Sequence, residues 1–506
     1  MNTKNQLNSY KYVYERSNFI IKIEDTILDN YEIDSLKLSF EANIHSKLKL
    51  SFENHKNQNI YSALKNEKYP KIEIKLLKDE VETMFFTGQI ELFNIGNYGS
   101  QGHKIEIEAL SITKELDREK KFRAYQNVDL TLLDILQDIT SEYKQINFIF
   151  NDILKSIKIG KPIIQYNESD WDFIIRIASH AGVGIYPLAN RGIAIGLNNG
   201  TNQEKAIEVL DNLWQISKNE YGEIGYLFNS QNVLLCGDEV VIWTDIKKEE
   251  RVSLNVHSGE IELRNSLTSS KVSMIQGMYK YPYITNKNIA GKVIEGTVEK
   301  VFAEDGIAKM TVNLSEGLKK TAAIKFGFKS IPKKAYSDIK GRFNFPYATP
   351  YSQTNTGLFC TPEVNDRVTV YYPTEEEIES YVSECINSKG NGRFSNPTVR
   401  NFMIEQNKKI EFTLDIDLDT LSIKNRINTI ETKEEFNVKS NSEINVVSED
   451  ATIISSKNKT DISTDNLRIR TTKQEISYDE KNESGKVSTV KVSSFGVKAD
   501  NISLGK

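Results

Sequence analysis

Cut into blocks of eight, residues 435–464 read EFNVKSNS, EINVVSED, ATIISSKN and KTDIST. Every block carries Val or Ile at its fourth position (Val438, Val446, Ile454, Ile462) and Ser or Thr at its sixth (Ser440, Ser448, Ser456, Thr464). Ile430 and Thr432 keep the same phase in the block before. A period of eight suits neither an amphipathic helix, which needs about 3.6, nor a heptad coil. Inside each block apolar residues alternate, as in Phe436 and Val438 or Ile444 and Val446, which is the period of a strand. The repeat is also far shorter than the ~20–50 residues of common solenoids, so it describes a narrow object.

One such block cannot stabilise itself. Burying an aliphatic side chain contributes about 1.5–3 kcal/mol. Ordering eight residues of backbone costs about 8–16 kcal/mol. Several copies wound about one axis would share the aliphatic column as a core and pair each other's open edges. In that arrangement Ile430, Val438, Val446, Ile454 and Ile462 face inward, with Phe436 and Ile444 supporting, and the small residues two positions on (Thr432, Ser440, Ser448, Ser456, Thr464) allow tight corners. The alternative is one face of an ordinary sheet or β-solenoid within a monomer. The phase slips after 464, where Ile469 comes one position early and residues 480–491 read as loop.

The rest of the chain reads as further domains. With 506 residues there is room for two to four. Residues 1–285 are mainly strand, with alternating stretches such as YEIDSLKLSF and HKIEIEAL. Two helices interrupt them: one over 129–143 with Asp129 as N-cap, one over 168–182 capped by Ser169 or Asp170 and closed by Gly182. Residues 286–388 hold five short strands, one of them AAIKFGF, which suits a small Greek-key barrel of the OB type. SKGNGRFSNPTVR (388–400) is a linker, residues 389–420 lead into the repeat, and 421–506 form the repeat with an irregular tip.

Two further segments carry a family resemblance. YNESDWDFIIRIASHAGVGIYP (166–187) resembles the Y-x-E-S-x-W-x-F-x-x-R-x-A signature of the hub domain in VgrG and phage late-control proteins, matched here by Tyr166, Glu168, Trp171, Phe173 and Arg176. GLFCTPEVNDRVTVYYP (357–373) resembles the end of that family's OB domain, with Asn365 in place of the usual glycine. The octads resemble the V-x-G repeat of the needle in contractile-tail spikes, with Ser or Thr replacing glycine. The three occur in the family's order, as in spikes of prophages and tail-like particles from Firmicutes. The resemblance implies a mainly β, multidomain chain: an α+β hub of β-barrel type, an OB-fold barrel and a C-terminal triple-stranded intertwined β-helix. It further implies a homotrimer with roughly sixfold-like pairs of β-domains that matches the end of a tail tube, partners among tube and baseplate proteins, a separate tip protein at the needle end, and the target-cell envelope as the surface pierced.

Chemistry is sparse. Glu168, Asp170 and Asp172 invite a reading as catalytic carboxylates, but acids at a helix start complement its dipole and its free amides. Trp171, Phe173 and Arg176 read as core and a structural ion pair, and His180 as a C-terminal capping residue. The five histidines share no metal-binding spacing, and none lies beyond His257, so the iron site found at some needle tips in this family is not expected. No phosphate-binding loop or nucleophile elbow is present, and no catalytic, cofactor or metal residue is expected. A formal charge of −5 gives no support for nucleic-acid binding. Three widely spaced cysteines and a polar N-terminus without an apolar signal core indicate synthesis in the cytoplasm without a signal peptide, and release as part of an extracellular particle. The competing functions are an envelope-degrading tail enzyme and a secreted β-solenoid adhesin.

Overall fold

The computed structural model describes residues 14–29, 31–54, 60–97, 102–189, 192–197, 207–208, 214–218, 224–243, 251–264, 266–277, 279–326, 342–349, 360–386, 399–405, 409–415, 420–424, 427–458, 460, 463–465, 476–481 and 487–492. Two compact units emerge, 1–393 and 394–506.

The first unit is built on a large, mainly antiparallel sheet. Its path runs from Trp214–Lys218 through Ile224–Ser230, Leu267–Ile275, Arg251–Arg264, Tyr31–Glu41, Ile44–Asn54, His103–Ser111, Val81–Asn97 and Lys71–Lys78 to Phe19–Ile23 and Thr26–Ile27. Period-two patterning builds it: in Tyr31–Glu41 the residues Ile33, Leu36, Leu38 and Phe40 are buried. The sheet joins two β-rich halves. Arg251–Arg264 pairs with Glu239–Trp243 through its first residues and, beyond a bulge between Val256 and Ser258, with Tyr31–Glu41. The mainly β, multidomain fold is as expected; among the described residues the path has ends at Trp214–Lys218 and Thr26–Ile27, and no closed barrel is formed.

Helix α1 spans Ile60–Asn66, α2 Leu132–Thr140, α3 Asp170–Ser179 and α4 Ser315–Phe326. Helices α2 and α3 share a core with the small sheet of Ile185–Leu188, Gly192–Ile195 and Asn147–Phe150, centred on Leu136, Ile139, Phe173 and Ile177. Helix α2 begins later than expected. Its N-cap is Thr131, whose Oγ1 accepts from the Asp134 amide at 3.2 Å while Asp134 accepts from the Thr131 amide at 2.7 Å. Asp129 instead pairs with Lys158 at 2.9 Å.

The five-stranded sheet of the first unit follows the order Asn344–Pro346, Ile307–Asn313, Lys292–Glu304, Arg367–Tyr372, Tyr381–Cys385. A single parallel bridge between Tyr347 and Val382 brings its two edges together. One expected strand was misplaced: AAIKFGF lies largely in α4, and Asn344–Pro346 takes its place. Leu318 and Ala322, four residues apart, put one helical face into the core. Gly317 lets the helix approach, since a Cβ there would lie 1.8 Å from the Glu295 carbonyl oxygen.

In the second unit, the stretch expected to be linker and needle start carries a three-stranded antiparallel sheet, Val399–Glu405, Lys409–Asp415 and Thr420–Lys424. The segment expected as loop over 480–491 contributes to a hairpin, Ile476–Lys481 with Val487–Val492. Between them the described octad residues lie outside any helix or strand, with bends at 433–434, 441–442, 449–450 and 457–458. The chain itself thus repeats every eight residues.

Candidate functional site: the signature segment and its junction

A two-stranded ribbon, Lys120–Tyr125 with Ile163–Ser169, forms a wall with two faces. Strand alternation sends Phe122, Ala124, Ile164 and Tyr166 into the core of the five-stranded sheet. The intervening Tyr125 and Ile163 face the core of α2 and α3. The signature begins on this ribbon. At Asn167 the backbone enters the left-handed region (φ 52°), which asparagine tolerates better than most residues, and the register shifts between Tyr166 and Glu168. Tyr166 packs edge-on against Phe122 at 5.2 Å, and Glu168 pairs with Arg176 across the ribbon's end.

Ser169 then caps α3, its Oγ accepting from the Asp172 amide at 3.1 Å. Trp171 is buried with its ring 4.3 Å from the His45 imidazole of the large sheet. Phe173 lies under the Arg176 guanidinium, 5.0 Å from ring centre to carbon. Gly182, at φ 69°, closes the helix as expected.

Arg176 ties the parts together. Its Nε and Nη2 donate to the two Glu168 carboxylate oxygens at 3.0 and 2.8 Å, Nη2 also to the Ile164 carbonyl at 2.8 Å, and Nη1 to Glu377 Oε1 at 3.0 Å. Glu377 belongs to TEEEIES (374–380), the turn between the last two strands of the five-stranded sheet. Lys161 donates to Glu376 at 2.8 Å and lies 3.5 Å from Glu377. Asn286 donates to the Ile164 carbonyl at 2.7 Å, and Gln126 donates to the Val312 carbonyl at 2.7 Å. Burial pushes the Glu168 carboxyl up against the opposing pull of Arg176.

A second ionic cluster centres on Asp170, fully buried at the start of α3. It accepts from Arg123, Gln165, Lys121 and Tyr143, the last two at 2.7 Å. Burial alone would raise its carboxyl, but Arg123 and Lys121 outweigh it and hold the group near 2. Asp172 pairs with Lys120 at 2.7 Å. The three acids of the signature are thus each neutralised by a different cation, and none shares a proton with another. Among the described residues no cluster of His, Cys, Asp and Glu fits a metal ion.

Residues 69–190, which contain the ribbon, the Asp170 cluster and Arg176 with Glu168 and Lys161, match the phage tail baseplate hub (GPD) family. Through this segment the chain is similar to the baseplate hub family. In fold it is similar to the Francisella PdpA–VgrG complex, at a TM-score of 0.50 and 12% identity over 81% of this chain and 77% of that one. It is also similar to the Escherichia coli type VI secretion component c3393, at 0.47 and 13% identity over 72% and 99%. No curated protein sequence matches the chain.

Within this hub, sequence reasoning named Arg176 and Glu168 but missed Arg123, Lys161 and Glu377. The run of three acids in TEEEIES was the available signal for the last. It also missed YKYPY (279–283), whose alternate tyrosines line the passage from the hub sheet to the five-stranded sheet. Outside the matched segment, the octad residues Ile430, Phe436, Val438, Ile444, Val446 and Ile454 are exposed in the single chain, from 56% at Ile444 to 76% at Ile454. Ile462 lies outside the described residues. The bends fall just after Thr432, Ser440, Ser448 and Ser456 rather than on them. Ser440 Oγ accepts from the Ser442 amide at 3.2 Å and Ser448 Oγ donates to the Ala451 carbonyl at 2.9 Å, so these hydroxyls span the corner.

Proposed function

We propose that the chain is the non-enzymatic hub–spike subunit of a contractile injection apparatus: a phage tail, a tailocin or a type VI-like system. Three copies form a ring at the end of a tail tube. The five-stranded domain acts as an OB-type collar, and the octads wind into a threefold needle driven through a target envelope. The observation that carries this reading is the eight-residue bend period with an aliphatic column left exposed in one chain, downstream of a hub segment. A column of that kind, four turns long and without an intrachain cover among the described residues, needs other chains to bury it. Tube and baseplate proteins bind the ring and a separate tip protein caps the needle, with no cofactor and no nucleic acid. The chain leaves the producing cell as part of the particle.

The test is the absolute mass of the full-length protein by light scattering after size exclusion. Three times the 57.7 kDa chain is expected. A protease-resistant monomer would return the octads to a single-chain solenoid and overturn the reading.

A further inference from the structure

The segment linking the hub sheet to the five-stranded sheet is a strap zipped onto the signature helix. Its three alternate tyrosines each meet a hub partner. Tyr279 stacks on His257 at 5.7 Å, and Tyr283 stacks on His180 at 4.5 Å. The Tyr281 ring fills the space a side chain at Gly184 would take, with a Cβ there only 2.4 Å from the ring. The Tyr281 amide donates to the Gly182 carbonyl at 3.0 Å and the Ile284 amide to Ser179 Oγ at 3.0 Å. Lys161 donates to the Tyr283 hydroxyl at 2.7 Å and to Glu376 at 2.8 Å, so strap and acidic turn share one cation.

His180 sits where strap, helix and acidic turn converge. Arg176 of its own helix, Lys161 of the segment before the ribbon, Glu377 and Glu376 of the acidic turn, and Tyr283 of the strap all act on or touch it. Burial, then Arg176 and Lys161, hold its imidazole neutral down to about 4. Glu168, which faces Arg176, Glu377 and Asp172, is pushed up by burial. At neutral pH the junction therefore sets Arg176 and Lys161 against three carboxylates.

We propose that this junction is an acid-operated latch: an imidazolium at His180, enclosed beneath the Tyr283 ring beside Arg176 and Lys161, gains hydration when the strap lifts, and a proton on Glu168 removes its half of the Arg176 clamp, so that the strap comes away from the signature helix. Two independent contacts then fail together, the Tyr283 stack against a ring crowded by like charge and the Glu168 half of the Arg176 clamp. A free imidazole titrates at 6.5 and this one at about 4, so the opening equilibrium rises by about a hundred-fold between pH 7 and pH 4.

The test is hydrogen exchange of the full-length protein at pH 7 and pH 4, corrected for intrinsic rates. Amides of 279–286 should lose protection on acidification while His103–Ser111 keeps it. His180→Phe, which keeps an aromatic ring for the stack and cannot charge, should retain most of the protection at pH 4. Should that variant fold poorly, His180→Gln replaces it in the same comparison. Unchanged protection of the wild type at pH 4, or equal loss in wild type and variant, would overturn the latch.

Discussion

Arg176→Met tests whether the signature arginine holds the hub to the five-stranded domain. Methionine keeps much of the volume over Phe173 and removes only the charge and the donors. The loss strands Glu168, which is 6% exposed, whereas Glu377 keeps Lys161 at 3.5 Å. A stranded buried carboxylate can always escape by taking a proton, so the cost has a ceiling. For a group with an ordinary value of 4.5, protonation in place at pH 7 costs about 3.4 kcal/mol. The lost bonds to Glu377 and to the Ile164 carbonyl, which keeps its bond from Asn286, add about 1 kcal/mol, which places the total in the 3–5 kcal/mol typical of a broken buried pair. The ceiling also sets the pH dependence. In the variant the folded-state carboxyl titrates well above 4.5, so stability missing at pH 7 returns as the pH falls through that raised value. At pH 5 protonation costs only about 0.7 kcal/mol, and the difference from wild type should shrink to about 1–2 kcal/mol. Urea denaturation of both proteins at pH 7 and pH 5, followed by circular dichroism, measures it. A loss below 1 kcal/mol at pH 7, or one independent of pH, would refute the assignment of Arg176 as the partner of a buried, ionised Glu168.

His45, held to about 4 by burial and then by Lys114, charges more readily in the unfolded chain; stability should fall as the pH drops from 6.5 toward 4. His45→Gln should flatten that slope by up to about 1.4 kcal/mol per pH unit, read from urea midpoints between pH 7 and pH 4. Gly317→Ala places a methyl 1.8 Å from the Glu295 carbonyl and should cost about 1–3 kcal/mol, visible as a lowered melting temperature of the first unit. In the proposed trimer Val446→Asp puts three like charges around one axis; the protease-resistant C-terminal fragment should vanish while the hub melts unchanged.

The parts of the fold that could be read from sequence are those decided within a few residues. Helix α3 was legible because Ser169, the Phe173–Ile174–Ile177 face and Gly182 mark its start, side and end. Helix α2 was legible in its body and wrong at its cap, since Asp129 and Thr131 are both good capping residues and only the ion pair of Asp129 with Lys158 decides between them. Helix α4 was lost because AAIKF reads as a strand when taken without the Ser315 start and the Leu318–Ala322 spacing. The junction was hidden for a different reason. Arg176 and Glu377 are 201 residues apart, and nothing local distinguishes a glutamate that will be buried from its two neighbours in TEEEIES. The octads were legible in period, and the structure adds where the chain bends and why serine suffices there.

The choice of a polar junction has a mechanical logic. An apolar face between the ribbon and the five-stranded sheet already exists, and burial there is non-directional: it resists separation but tolerates sliding. A guanidinium that engages Glu168 with two nitrogens, and Glu377 and a backbone carbonyl at fixed angles, resists sliding and rotation. The cost is desolvation, which makes the clamp stable only while its charges balance. Under the proposed function, a subunit that passes axial load from a tube to a needle gains more from fixed orientation than from a few extra kilocalories. A double-mutant cycle of Arg176→Met with Glu377→Gln would separate the two contributions: a large coupling energy supports directional clamping, and a coupling near zero would mean that the apolar face alone carries the junction.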